Sequence, residues 1–155
     1  MISERDLQRG VTATRIIWFA LFASLIVYVC IAPLLFDTAR VSFSLESYRT
    51  LRLALFACAL LTLVLTWFLR KYLLAAPPGK RSANSNQHPA VARYLSVMMV
   101  AMGMSEAIGV YGLVLYVLGK SNQDLYFLTV LSAGAMLLYF PKKEEIRSLE
   151  KRFSS

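Results

Sequence analysis

The chain has 155 residues, 57% of them apolar and only 17% charged, and it carries a net charge of +8. So apolar a composition excludes a soluble domain, and the length allows a single compact membrane unit. The basic excess then reads as topology signals and contacts with anionic headgroups, not as a nucleic-acid surface.

Residues 1–15, with Glu4, Arg5, Asp6, Arg9 and Arg15, read as a charged cytoplasmic tail. The apolar run Ile16 to Phe36 that follows is too long for a signal-peptide core and lacks a small-x-small cleavage site, so it is expected to stay as a membrane span, about 16–36. Asp37 to Tyr48 is a mixed polar and apolar loop suited to the outer interface. A second run, Leu53 to Leu69, predicts a helix over about 51–72. Between Ala75 and Ala90 a Pro-Pro-Gly break precedes the polar stretch Lys80 to Pro89, a flexible or partly ordered connector. The third run, Tyr94 to Leu118, predicts a helix over about 92–118. Only Gly119 to Gln123 separate it from the fourth, Leu125 to Phe140, so helices three (92–118) and four (124–140) should form a tight antiparallel hairpin. Residues 141–155 place Ile146, Leu149 and Phe153 among Glu, Lys and Arg, the pattern of a short amphipathic helix on the cytoplasmic surface.

Each run can cross most or all of a hydrocarbon layer about 30 Å thick, and none alternates with period two. The fold expected is therefore all-α, an integral membrane four-helix bundle over 16–140. If all four helices cross, Lys and Arg divide thirteen to four between the two sides, with the larger number on the side of both termini. Both termini are then cytoplasmic and the protein is a multi-pass protein of the inner (plasma) membrane. Cys30 and Cys58 lie inside apolar runs without C-x-x-C spacing and read as small packing residues, with their pairing left open. His88 is the single histidine, which excludes bis-histidine haem ligation, and Met98, Met99, Met102 and Met104 read as adaptable packing. No cofactor or metal is expected. No nucleophile and base pair, phosphate-binding Gly loop or paired carboxylates occur, so the chain does not read as an enzyme.

Glu106 is the residue that asks for an explanation, an acid in the middle of the uncharged run Tyr94 to Leu118. A charged side chain at the bilayer centre costs about 2.5–3.5 kcal/mol on insertion scales, so it has a role or a partner. At about 100° per residue, Met102, Ser105, Gly109 and Gly112 fall on one side of Glu106 and Gly103 on the other. Ala101, Ser105 and Gly109 repeat the small-xxx-small spacing that lets membrane helices approach closely. The second helix offers a matching ridge of Ala54, Cys58, Thr62 and Thr66. Buried between helices, a carboxyl favours its neutral form and can load and unload a proton. Three roles stay open on these residues: proton carriage, an interhelical hydrogen bond that holds the bundle, or exchange of a proton for a cationic substrate in a small transporter.

The stretch Ser105-Glu106-Ala107-Ile108-Gly109-Val110-Tyr111-Gly112-Leu113-Val114-Leu115 resembles the carboxylate-bearing helix of the proteolipid c subunits of rotary F-type and V-type ATPases. Gln87-His88-Pro89 ahead of it resembles that family's polar cytoplasmic loop, and the likeness covers residues 87–118. It implies that Glu106 is the ion carrier and that Tyr111 occupies the aromatic position that helps close the ion site; Ser105, Gly103 and Gly109, which border the acid on the helical wheel, are then the residues that support it. It also implies a subunit of a larger ion-translocating complex, or a homo-oligomer, with the lipid bilayer as the other partner.

Overall fold

The computed structural model describes residues 4–36, 44–75 and 89–154. The connectors at 37–43 and 76–88, with Arg40, Lys80, Arg81 and the Gln87-His88 pair, lie outside them. The described residues are all helical or in short turns, with no strand: α1 (Glu4–Phe36), α2 (Leu45–Ala75), α3 (Pro89–Gly119), α4 (Asn122–Leu138) and α5 (Lys143–Ser154). Three of them, α1, α2 and α3, are long and apolar enough to cross a membrane. The 17-residue α4 meets that description only together with α5, from which it is bent by 55°.

The helix ends follow from local chemistry. Pro89 opens α3, where its missing N–H removes one of the donors that a first turn leaves unpaired. Lys120 ends it in the left-handed region at φ 55°, and its N–H donates to the Tyr116 carbonyl at 2.8 Å. Ser121 then caps α4, its hydroxyl accepting from the Asp124 N–H at 3.3 Å. The two-residue link makes α3 and α4 the expected antiparallel hairpin. At the other end of α4, Tyr139 and Phe140 donate to the Met136 and Leu137 carbonyls in a tightened last turn. Pro141 follows and cannot continue the ladder.

α3 touches every other helix and is the most buried of the three long ones. Against α4 it packs through small residues. A Cβ on Gly112 would stand 3.0 Å from Leu128 Cβ and 3.2 Å from the Leu125 carbonyl oxygen, and the Ser132 hydroxyl donates to the Ser105 carbonyl at 2.6 Å. Such close approach is what small residues allow between helices in lipid, where no hydrophobic force drives them together.

Two expectations change at the termini. Residues 4–15 are part of the first helix and not a separate tail, because α1 begins at Glu4 and buries Leu7, Val11 and Thr14. Leu7 and Val11 join a cluster with Val91 and Tyr94 of α3 and Ile146 and Leu149 of α5. The apolar stripe of α5 therefore covers the bundle and not a bilayer surface, with about 2 kcal/mol available from each buried side chain. The first interfacial loop is also shorter than expected, since α2 starts at Leu45 and Tyr48 is helical. α2 is the least buried of the long helices. Its inward residues include Ala59, Leu55 and Leu63, which pack with Ile108, Leu115 and Leu128.

Candidate functional site

The midpoint of the Ala90–Gly119 span falls between residues 104 and 105, so Glu106 lies about 2 Å from it along the axis. Its carboxyl meets α1. Ser24 and Tyr28, four residues apart and thus on one face of α1, donate hydroxyl hydrogen bonds to Oε1 at 2.6 Å and 2.9 Å. The second oxygen, Oε2, has no partner among the described residues, and no basic side chain pairs with the acid there.

Ser24 is placed between two acceptors. Its Oγ lies 2.6 Å from Glu106 Oε1 and 2.6 Å from the Leu21 carbonyl oxygen, while it has one proton to donate. Given to Glu106, that proton leaves the Leu21 contact unbonded. Given to Leu21, it leaves Ser24 as the acceptor of a proton carried by the carboxyl itself. Hydroxyl partners thus accommodate both protonation states without moving, where a cationic partner would hold the acid charged.

The small residues around the acid serve different neighbours. Ser105 is fully buried, and its hydroxyl donates to the Ala101 carbonyl at 2.8 Å. Ala101 is buried as well. A Cβ on Gly109 would run into Leu25 of α1 and approach Ser132 of α4, and Gly112 faces α4. Ser105, Gly109 and Gly112 thus all meet α4, and Gly109 meets α1 as well. Gly103, one turn before the acid, is exposed, and a Cβ there would meet nothing within 4 Å. Tyr111 lies elsewhere, packed against the cluster of Ala59, Ile108, Leu115 and Leu128.

Only part of the second-helix ridge turns inward. Thr66 is buried and Thr62 half-buried, but Ala54 and Cys58 are exposed. Because α2 is apolar on all sides, sequence spacing could not say which ridge turns inward. Cys30 and Cys58 are both free and both exposed, which corrects the reading of them as packing residues.

Sequence reasoning missed Ser24 and Tyr28. The available signal was a pair of hydroxyl residues at i and i+4 inside an apolar run. It also missed an ion pair. Asp124, only 2% exposed, accepts from Arg52 Nε at 3.1 Å and Nη2 at 2.7 Å on Oδ1, and from the Tyr48 hydroxyl at 3.0 Å on Oδ2. These contacts fasten the start of α2 to the start of α4. At the opposite end Arg70 Nη2 donates to both oxygens of Glu145, at 2.8 and 2.7 Å, and Arg93 donates to the Leu73 carbonyl in the last turn of α2. Trp18 Nε1 donates to the Met136 carbonyl at 2.9 Å, tying α1 to the end of α4. No protein-family model, curated protein or solved structure matches the chain.

Proposed function

We propose that Glu106 takes up and releases a proton at mid-membrane, and that the protein acts as a proteolipid-like subunit of a proton-translocating assembly. The observation that carries this reading is the acid's hydroxyl-only setting: Ser24 and Tyr28 on Oε1, with no cation paired to it among the described residues. A carboxyl so held is stable with or without its proton, and an intramembrane acid of that kind is a functional group by default. The likeness of residues 105–115 to the carboxylate helix of rotary proteolipids points the same way. In this arrangement α1 to α4 form a four-helix membrane domain with both termini cytoplasmic, as the division of Lys and Arg suggests. The ion site is built within one chain, between α1 and α3.

A second reading has one observation in its favour: the same two hydrogen bonds join α1 to α3, so Glu106 also braces the bundle, each bond contributing roughly 0.6–2 kcal/mol. Glu106→Gln separates the two roles, since an amide keeps the hydrogen bonds but holds no exchangeable acid proton. Infrared spectroscopy of the protein in bilayers, together with labelling by a hydrophobic carbodiimide, reads the proton directly. Proton carriage requires a protonated-carboxyl band that titrates and is missing from Glu106→Gln, with labelling that follows the same titration. Absence of both signals at every pH, in a folded protein, leaves only the brace; Glu106→Gln is then silent while Glu106→Leu loosens the assembly.

A further inference from the structure

Away from Glu106, the start of α2 carries a second arrangement with its own chemistry. Arg49, Arg52, Leu53 and Phe56 recur at i, i+3, i+4 and i+7, the spacing of one helix face, and they line an open groove of about 500 Å³. Arg52 commits Nε and Nη2 to Asp124, and Nη1 has no partner among the described residues. Arg49 is exposed and also has no partner among them. Arg52 and Asp124 neutralise each other, so the net positive charge at the groove is that of Arg49, and Arg52 offers its free Nη1 as a further hydrogen-bond donor.

The wall changes character along the helix. Arg49 and Arg52 stand at the end of the span, Leu53 is exposed one turn deeper, and Phe56 packs beside Phe127 of α4 with ring centroids 5.7 Å apart. From Arg49 to Phe56 the face descends about 10 Å, the depth from a headgroup to the first acyl carbons. Below it, Leu60 and Val64 continue the exposed apolar surface of α2. A soluble anion would use only the upper half of such a face.

We propose that this groove holds the phosphate headgroup of an anionic phospholipid, with Arg49 and the free edge of Arg52 on the phosphate and an acyl chain along Leu53, Phe56 and Leu60. Planar guanidinium groups suit phosphate oxygens, and the cation–apolar sequence suits an amphiphile at the membrane border. The site does not depend on the role of Glu106.

The test is native mass spectrometry of the full chain released from nanodiscs containing equal amounts of phosphatidylglycerol and phosphatidylcholine. Preferential retention of phosphatidylglycerol is expected, falling about fivefold in Arg49→Gln, the contribution of one basic residue near a charged surface. Leu53→Glu should weaken retention as well, and Lys143→Gln, at the other end of the molecule, should not. Arg49 has no protein partner among the described residues, so its variant keeps the fold, which circular dichroism verifies. Equal retention of the two lipids, or unchanged retention in Arg49→Gln, overturns the site. Displacement of the lipid by millimolar inorganic phosphate overturns the lipid and assigns the groove to a free phosphate.

Discussion

Asp124 and Arg52 form a strongly asymmetric ion pair, and the asymmetry predicts an order of effects. The aspartate side chain is 3% exposed and the arginine 49%. Removing the buried charge therefore leaves a guanidinium that water and headgroups can still solvate, whereas removing the arginine strands a buried carboxylate. In Asp124→Asn the amide oxygen can accept from Arg52 while its NH2 donates to the Tyr48 hydroxyl oxygen and the shape of the capped turn is kept, so the loss is that of charge-assisted bonding to a half-solvated partner, about 1–2 kcal/mol. In Arg52→Ala the acid keeps only the Tyr48 hydroxyl at 3.0 Å, and the cost should be about 3 kcal/mol or more. The double variant should cost less than the sum of the two, because the second change removes a group that the first had already deprived of its partner. The measurement is reversible unfolding in mixed micelles by increasing dodecyl sulfate, followed by helical circular dichroism. An Asp124→Asn variant less stable than Arg52→Ala, or two variants within about 0.5 kcal/mol of wild type, refutes this account.

Two further outcomes test the packing. Gly112→Val must push α4 off the Leu125 backbone and should destabilise by about 1–3 kcal/mol, while Gly103→Val, which meets nothing within 4 Å, should be neutral or slightly stabilising in the same unfolding assay. Trp18→Phe keeps the ring stacked on Phe22 but deletes the buried bond to Met136, which has a second donor in the Tyr139 N–H. The loss should be about 1 kcal/mol, with faster amide exchange confined to Tyr139 and Phe140.

The parts of this molecule that could be read from sequence are those governed by neighbours in the chain. The α3–α4 hairpin follows from a short linker with Ser121 three residues before Asp124, and Glu106 stands out because a lone acid in an apolar run has no local explanation. What could not be read depends on choices made between helices. Leu7, Val11, Thr14 and Trp18 do form a helical stripe, but Arg5, Arg9 and Arg15 mask it, and only the partner surface on α3 and α5 reveals that α1 runs so far. The amphipathic pattern of α5 announces one apolar face without saying whether lipid or protein covers it. For α2, apolar on every side, the pattern contains no inward direction at all. The partners of Glu106 were hidden for the same reason: a Ser and a Tyr in an apolar helix are ordinary, and their meaning comes from α1, not α2, lying across the acid.

That arrangement separates two jobs. α2 is clamped at both ends by guanidinium contacts: Arg52 binds Asp124 of α4 at one, and at the other Arg70 binds Glu145 of α5 while Arg93 of α3 donates to the Leu73 carbonyl of α2. α1 is held to α4 by Trp18 and to α3 by the Glu106 cluster, and its main contacts are with α3, α4 and α5. Glu106 is hydrogen-bonded to α1 and not to α2, so removing its side chain frees α1, the responsive element, while the clamps of α2 stay in place. Leu125, next to Asp124, packs beside Tyr116, ten residues beyond Glu106, which sets the two sites roughly 15 Å apart along the bundle. Sites that distant, with no shared partner, should add within about 0.5 kcal/mol when Glu106→Leu is combined with Asp124→Asn. Glu106→Leu combined with Tyr28→Phe should fall short of additivity, since either change alone already removes their common bond. Coupling of about 1 kcal/mol or more between Glu106 and Asp124 would mean that α1 and α2 move as one body, and would falsify the division of the bundle into a fixed helix and a responsive one.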